Sequence, residues 1–253
     1  MLPVMGIEEL EAVAAAGWRG LEEERLGDWL LRAAEGFTGR ANSALAIGDP
    51  GRSLAAATEA VRGWYRARDL PAMMAIPYPL GEPGRSPVDR FLGGRGWEVR
   101  ARPVTVMTAD AAGIAVQARP APWSVDLSAE PSDTWLAMYH YLGQETPPVG
   151  RKLLISSPWQ MFAAVRQEGE LLAIGRVAGT GEWAGLTAIE VHPRHRRRGL
   201  ASAVTAALAG VAADRGVPGL YLQVEDTNAA ARALYRRAGF TDHHGYHYRV
   251  APA

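Results

Sequence analysis

The stretch WAGLTAIEVHPRHRRRGLASAV, residues 183–204, decides the fold of this chain. Its first nine residues are mostly apolar and predict a buried strand, which is broken at His192-Pro193. A helix is predicted to follow from Leu200 to about Asp214, and LYLQVE, residues 220–225, predicts the next strand. A strand, a helix and a second strand of these lengths predict a crossover between two parallel strands. The sequence therefore predicts an α/β fold with a mixed sheet.

The loop between this strand and helix is rich in arginine and histidine, and it ends at Gly199. A helix that opens at a glycine presents unpaired N–H groups with partial positive charge, which suit a phosphate or a pyrophosphate. Gly199 has no Cβ and Ala201 is small, so an anion can approach the backbone closely. Arg196, Arg197 and Arg198 add positive charge. A nucleic-acid patch and a solvated charged turn are the other two interpretations, and the position between strand and helix favours the anion cradle.

Composition narrows the class of protein. The 253 residues contain 27 lysines and arginines and 27 aspartates and glutamates, so the net charge is zero. A neutral chain gives no indication of a nucleic-acid or anionic-membrane partner. The absence of cysteine excludes disulfides, thiolate metal sites and a cysteine nucleophile. Neither a signal peptide nor a membrane-spanning apolar run is visible, so we expect a cytoplasmic protein.

Hydrophobic periodicity, together with the Gly and Pro residues that interrupt it, predicts the remaining helices and strands. Residues 110–131, rich in Ala and Pro, predict a strand remnant followed by a linker. Helices are predicted at Ile7–Ala16, Leu54–Arg68, Val88–Leu92, Ser132–Tyr141 and Asn228–Ala238. Strands are predicted at Asp28–Ala34, Ala41–Ile47, residues 72–76, Glu98–Met107, residues 161–167, residues 170–179 and residues 246–251, with a hairpin turn at Glu168-Gly169.

The two halves of the chain resemble each other. ALAIGDP (residues 44–50) and AIEVHP (residues 188–193) both precede a helix, and similar matches recur at separations of 143 to 147 positions, as in Asp49 and His192 or Pro71 and Pro218. Such self-similarity predicts two copies of one unit. We place the boundary between residues 1–115 and 116–253. The first copy lacks the arginine-rich loop.

Two motifs carry a resemblance to a known family. VHPRHRRRGLASAV resembles the acyl-coenzyme-A signature of the GNAT superfamily of N-acetyltransferases, with Arg196, Gly199 and Ala201 at the motif positions. NAAARALYRRAGF, residues 228–240, is similar to a second segment of that family, with Asn228 and Tyr235 in register. The resemblance covers residues 132–250. It implies a catalytic GNAT domain in the second half, preceded by a degenerate GNAT-like domain.

The resemblance also implies acetyl-coenzyme A as cosubstrate. Its pyrophosphate is expected on the N–H groups of residues 196–201, which include Leu200. Its pantetheine arm is expected in a gap between the strands ending at Val191 and running through residues 220–224. Main-chain groups of Ile189 and Val191 are expected to hydrogen-bond the arm. Asn228 is expected to contact the arm, to cap the last helix, or both.

The implied chemistry is direct attack of a primary amine, on a small molecule or a peptide, on the thioester. Tyr235 is the candidate acid for the leaving thiolate, because a phenol stays protonated at neutral pH. Glu190 is either the base that takes the amine proton or an ordinary carboxylate, since strand alternation can turn it away from Ile189 and Val191. A non-catalytic acyl-coenzyme-A sensor is the competing function. Either a monomer or a homodimer is expected.

Two further sets of side chains are candidates for a metal site and for an acceptor pocket. The spacing of His243, His244 and His247 fits no common zinc motif, and alternation along a strand should separate the first two, so no metal is expected. Four aromatic residues can line an acceptor pocket or belong to the core: Trp135, Tyr139, Trp159 and Trp183.

Overall fold

The computed structural model describes residues 5–100, 102–116, 123–140, 143 and 145–252. The helices within these residues are α1 (Ile7–Gly17), α2 (Leu54–Arg66), α3 (Pro87–Gly93), α4 (Ala111–Val116), α5 (Asp133–Met138), α6 (Pro148–Leu154), α7 (Leu200–Asp214) and α8 (Ala229–Arg237). The strands are β1 (Glu22–Leu26), β2 (Trp29–Ala33), β3 (Ala44–Leu45), β4 (Met73–Tyr78), β5 (Glu98–Val99), β6 (Val104–Asp110), β7 (Asp126–Ser128), β8 (Trp159–Gln167), β9 (Glu170–Thr180), β10 (Trp183–Val191), β11 (Gly219–Glu225) and β12 (Thr241–Val250).

All of these strands join one mixed sheet, which confirms the predicted fold class. Its order is β1-β2-β3-β4-β12-β6-β11-β10-β9-β8-β7, and β5 pairs with β12 beside this path. Two parallel pairs stand among antiparallel neighbours, β3 with β4 and β10 with β11. Each parallel pair is connected through a helix, α2 in the first half and α7 in the second. The predicted crossover is therefore present, and the same arrangement occurs once in each half.

The two faces of the sheet are covered by different helices. Leu222 of β11 packs in one core cluster with Leu208 of α7, and Met74 of β4 packs with Val61 of α2. The strand registers place these residues on one face, which we call the α7 face. The opposite face, which we call the α1 face, packs Tyr221 against α1, and its part over β9 is covered by α5 and α6.

The halves exchange strands at the centre of the sheet. Strand β6 comes from the first half, yet it pairs with β11 and β12 of the second half. Strand β12 in turn pairs with β4 of the first half. The predicted linker at residues 110–131 includes residues 117–122, which lie outside the described residues. The boundary between residues 115 and 116 stays a prediction, because one continuous sheet runs through both halves.

Several predicted elements differ from the observed ones. The single strand predicted at Glu98–Met107 is wrong: β5 ends at Val99 and β6 begins at Val104. Residues 111–116 form helix α4 instead of a strand remnant, and residues 126–128 form strand β7. The strand predicted at Ala41–Ile47 is reduced to two residues, because residues 40–42 form a 3₁₀ turn. Strand β1 and helix α6 were not predicted from the sequence.

One buried arginine, Arg176, contacts several elements around β9. Arg176 of β9 has no exposed surface, and its guanidinium donates to the carbonyl oxygens of Leu154 at 2.7 Å and Gly17 at 3.4 Å. These residues end α6 and α1. Further donor contacts reach Ser157 Oγ at 2.7 Å and Thr187 Oγ1 at 3.3 Å. Arg176 thereby links two helix ends to strand β9.

Among the described residues, none of the helices combines the length and the apolar character that crossing a bilayer requires.

Candidate active site

A gap opens between β10 and β11 at the carboxyl ends of both strands. Their parallel pairing runs from Trp183 with Gly219 to Leu186 with Leu222, and it stops there. Beyond this point β10 is irregular: Ala188 has a φ of 53°, and the register with β9 shifts between Thr187 and Glu190. Such a bulge bends a strand and turns it away from its neighbour. The divergence creates the kind of crevice in which ligands bind in open α/β sheets.

The free edge of β10 faces this gap. The N–H of His192, directly after the strand, donates to the carbonyl of Leu172 on β9 at 2.9 Å. Backbone groups alternate along a strand, so those of Val191 and of Ile189, two residues earlier, point to the opposite edge. The side chains of both residues pack against the core below α7. Their main-chain groups therefore face the gap, and their predicted hydrogen bonds to a coenzyme arm stay a prediction.

The arginine-rich loop leads from the gap to the first turn of α7. Residues 193–195 form a 3₁₀ turn, and the loop then passes through two left-handed residues, Arg197 at a φ of 64° and Gly199 at 80°. Gly199 is the N-cap of α7, and neither a capping side chain nor an acidic residue occupies its first turn. The N–H groups of Leu200 and Ala201 have no acceptor one turn back within the helix. They face the loop, as an anion cradle requires.

The loop arginines differ in their surroundings. Arg196 and Arg197 are exposed at the mouth of the loop. Arg198 lies over the ring of Trp123 at 4.9 Å, and its Nη1 is 2.9 Å from Nδ1 of His195. The indole N–H of Trp123 also donates to the Arg198 carbonyl at 2.9 Å. Arg198 therefore holds the shape of the loop, and its predicted contact with a ligand stays a prediction.

Beside this loop the structure brings together a set of side chains that sequence analysis did not consider. Glu170, His192 and His195 each place one potential metal-ligand atom within 4.8 Å of the others. Nε2 of His195 is 3.1 Å from Oε1 of Glu170, and this contact holds the pKa of the Glu170 carboxyl below its usual range. The absence of a metal stays a prediction.

The three histidines of β12 have structural partners. His244 is buried and pairs with Glu11 of α1 at 2.8 Å, and His247 is buried and pairs with Asp89 of α3 at 2.9 Å. His243 contacts the backbone of residue 5 at 3.1 Å. The expectation that alternation separates His243 from His244 is wrong, because their Nδ1 atoms are 2.8 Å apart beside a register shift in β12.

Tyr235 lies on α8 in the core of the α7 face. Its exposed fraction is 9%, and its ring packs edge-on against Phe240 with centroids 5.8 Å apart. It shares this core cluster with Leu200, the first residue of α7, and with Val224 of β11. Burial raises the pKa of Tyr235 to about 12, because the phenolate would lose its hydration. The phenol is therefore fully protonated at neutral pH.

Asn228 begins the helix that carries this tyrosine. Its Oδ1 accepts a hydrogen bond from the N–H of Ala231 at 3.1 Å, so the predicted capping role is observed. Its predicted contact with the coenzyme arm stays a prediction.

Glu190 projects from the opposite side of β10. It pairs in register with Ile174, which packs on the α1 face, so alternation separates Glu190 from the side chains of Ile189 and Val191. Its carboxylate accepts a hydrogen bond from the N–H of His140 at 3.1 Å, and its side chain is 31% exposed. A half-exposed carboxylate thus stands at the gap on the α1 face, while Tyr235 stands on the α7 face.

The aromatic residues divide between core and surface. Trp135, Tyr139 and Trp183 are buried in core clusters of the α1 face. Trp159 is half-buried, and the guanidinium of Arg215 lies 4.9 Å from its ring.

The α1 face also carries a cavity that sequence analysis missed. We call it the arginine pocket: it is lined by Arg40, Arg100, Arg102, Val104, Gln223, Glu225, Tyr246 and Tyr248. The residues come from both halves and meet only because β6 lies between β11 and β12. Gln223 and Glu225 lie beyond Leu222, where β11 has already separated from β10.

Comparisons with known proteins agree with this geometry. The family model described as "Probable histone acetyltransferase Rv0428c C-terminal" matches residues 5–249. The probable histone acetyltransferase Rv0428c of Mycobacterium tuberculosis is 33% identical over 259 residues, covering 98% of this chain and 74% of that protein. The uncharacterized N-acetyltransferase YobR of Bacillus subtilis is 28% identical over 250 residues, covering 96% of this chain and 98% of that protein.

Solved structures show the same fold at low sequence identity. A GCN5-related N-acetyltransferase from Kribbella flavida superimposes with a TM-score of 0.73 at 18% identity, covering 99% of this chain and 97% of that one. A tandem GNAT protein from the clavulanic acid biosynthesis pathway gives a TM-score of 0.64 at 17% identity, covering 83% and 76%.

These findings define an acetyltransferase of the GNAT superfamily built from tandem GNAT-like domains, as the two sequence motifs predicted. Within that superfamily, the chain belongs to the Rv0428c C-terminal family.

Proposed function

We propose that this enzyme transfers the acetyl group of acetyl-coenzyme A directly to a primary amine of a small molecule or peptide. The observation that carries the proposal is the gap between β10 and β11, at the end of which β10 continues through the arginine-rich loop to the amide groups at the start of α7. An extended pantetheine arm matches the free strand edge at Ile189 and Val191. A diphosphate matches the N–H groups and the two exposed arginines of the loop.

The proposed reaction forms a C–N bond and breaks a C–S bond. The neutral amine attacks the thioester carbon, and the tetrahedral intermediate expels the coenzyme thiolate. Tyr235 donates its phenolic proton to the sulfur, for which its raised pKa keeps it protonated. Glu190 accepts the amine proton, directly or through one water, from the α1 face of the sheet.

Tyr235 and Glu190 lie on opposite faces of the sheet, and this placement supports an acid role for Tyr235 and a base role for Glu190. The thioester in the gap has the phenol on one side and the carboxylate on the other. The amine then approaches from the α1 face, where Glu190 is half-exposed. The relative named a probable histone acetyltransferase fits the same class, since a lysine side chain is a primary amine. Membership of an acetyltransferase family favours this function over a non-catalytic sensor.

Substitution of Gly199 by alanine is expected to weaken acetyl-coenzyme A binding about tenfold. A Cβ at a φ of 80° is strained by about 1–2 kcal/mol, and relief of that strain rotates the amide groups of the cradle. Isothermal titration calorimetry measures the affinity directly. Gly216→Ala is the matched control, because Gly216 has a φ of 72° near the other end of α7 and, like Gly199, has open space where a Cβ would stand.

If the Gly199 and Gly216 variants bound acetyl-coenzyme A with equal affinity, the amide groups at the start of α7 would not be the diphosphate site. Absence of any heat when acetyl-coenzyme A is added to the folded wild-type protein would overturn the proposed function altogether.

Substitution of Glu190 by glutamine is expected to lower kcat/KM about 100-fold at neutral pH. The loss should shrink as the pH approaches the pKa of the acceptor amine, because a growing fraction of the amine is then neutral without help. The pH profile of coenzyme A release checks this expectation. Glu182→Gln, at the turn before the other end of β10, is the control and should retain the wild-type profile. A uniform loss at every pH would assign Glu190 a structural role.

A further inference from the structure

We propose that the arginine pocket binds an anionic group, a carboxylate or a phosphate, on the acceptor that this enzyme acetylates. The inference rests on the proposed function and specifies its substrate class: a small amine that carries a negative charge at its far end.

The pocket lies on the side of the gap from which the amine is expected to approach. Gln223 and Glu225 belong to the wall of the gap formed by β11, and they project to the α1 face. Glu190 projects to the same face from β10, the other wall. An acceptor whose amine reaches the thioester beside Glu190 can therefore extend its other end across β11 into the pocket.

Charge in the pocket selects an anion. Its lining contains three arginines and one glutamate, which leaves two positive charges in excess in a chain whose net charge is zero. Arg102 forms an ion pair with Glu225 at 3.3 Å. The remaining polar side chains of the lining are hydroxyl and amide groups, which can donate hydrogen bonds. Arginine forks suit both carboxylates and phosphates.

The pocket is held in shape by contacts beneath it. The Arg40 guanidinium lies 4.7 Å from the ring of Trp18, and its Nη1 donates to Oε1 of Gln223 at 2.9 Å. The hydroxyl of Tyr246 donates to the same oxygen at 3.4 Å. Trp18 is itself fixed by a hydrogen bond from its indole N–H to Thr38 at 3.1 Å. Arg40 is thus oriented before a ligand arrives, which reduces the entropic cost of binding.

The size of the pocket limits its occupant. A volume of about 170 Å³ accommodates one small charged group with a few carbon atoms. Arg100 and Arg102 are exposed at its rim, where they can close over that group.

Two pairs of amines test the proposal in a thiol-release assay with acetyl-coenzyme A. Lysine and cadaverine differ by a carboxylate, and phosphoethanolamine and ethanolamine differ by a phosphate. In at least one pair the anionic member should have a kcat/KM tenfold or more above its partner, and the pair that shows this preference identifies the group. Arg100→Gln and Arg102→Gln should reduce the preference fivefold or more, chiefly through KM, while Glu225→Gln should increase it. Arg62→Gln, on the exposed side of α2, is the control.

Two results overturn the proposal. One is a wild-type enzyme that, in both pairs, either prefers the member without the anionic group or shows no preference. The other is a preference that both arginine variants retain. Calorimetry with acetyl-coenzyme A separates this failure from a failure of the proposed function, because cosubstrate binding persists in the first case and is absent in the second.

Discussion

Replacement of Tyr235 by phenylalanine is expected to lower kcat about 100-fold or more, with the dissociation constant of acetyl-coenzyme A changed less than about twofold. The variant keeps the ring, which packs against Phe240 in the core, and removes only the hydroxyl. A loss confined to kcat is the signature of an interaction made in the transition state alone.

The acid role also sets an expectation for pH. Burial raises the pKa of Tyr235 to about 12, so this group stays protonated well beyond neutral pH. The kcat of the wild-type enzyme should therefore show no decline from Tyr235 ionisation up to about pH 10, two units below that pKa. A phenol with an unshifted pKa would begin to lose activity near pH 9.

Steady-state kinetics and calorimetry on the same preparations test both statements. Tyr65→Phe is the matched control: Tyr65 is a buried tyrosine of α2 whose hydroxyl donates to the Arg32 carbonyl at 2.9 Å, remote from the gap. It should lose some stability and retain kcat. If Tyr235→Phe also retained kcat, the proton for the thiolate would have to come from another donor, such as water.

The part of the fold that sequence predicted best is the segment that carries its own local signals. Strand β10 and helix α7 have the predicted bounds, 183–191 and 200–214. Local signals predict both elements: the apolar run of β10 stops at a proline, and helix α7 begins after a glycine. The loop at residues 196–201, where we propose the anion cradle, leads from the end of β10 into the first turn of α7, so its place in the fold could be predicted as well as theirs.

Elements without such signals were missed for identifiable reasons. Strand β1 reads EEERL, and its first four residues are exposed, so no apolar alternation marks it. It is ordered by pairing with β2. The break between β5 and β6 is likewise set by pairing: within the described part of the chain β5 pairs with β12, whereas β6 lies between β11 and β12.

The arginine pocket illustrates the limit of sequence reasoning about the site. Arg40, Arg102 and Gln223 are far apart in the chain, and each is unremarkable among its sequence neighbours. They meet because the two halves exchange central strands, a choice made by long-range pairing. Motifs therefore predicted where the cosubstrate is expected to bind, while the surroundings of the acceptor required the structure.

Replacement of Arg176 by methionine is expected to lower the free energy of unfolding by about 3 kcal/mol. Two effects oppose each other at this position. Burial of a charge is costly, and it lowers the pKa of Arg176 to about 10. Methionine relieves that cost, but it leaves the carbonyl of Leu154 and the hydroxyl of Ser157 without the donor that they now have.

The carboxyl ends of two helices make the loss of hydrogen bonds larger than the gain from removing a buried charge. Arg176 forms no ion pair with any carboxylate of the described residues; its charge is balanced by the carbonyl ends of α1 and α6. The carboxyl end of a helix carries partial negative charge, and two such ends meet at one guanidinium. Loss of the arginine leaves these ends facing each other in a dry interior, so the orphaned acceptors should outweigh the relieved charge.

Arg32 provides the matched comparison, because it lies 144 positions earlier, within the separations that relate the two halves. It too is buried on a strand, and its guanidinium donates only to Ser43 among the described residues, at 3.2 and 3.3 Å. Arg32→Met should therefore cost about 1 kcal/mol. Urea unfolding of both variants measures the difference. A methionine at position 176 that leaves stability unchanged would show that the relieved charge burial fully offsets the orphaned acceptors, and one that raises stability would show that the second half holds its arginine at a net cost.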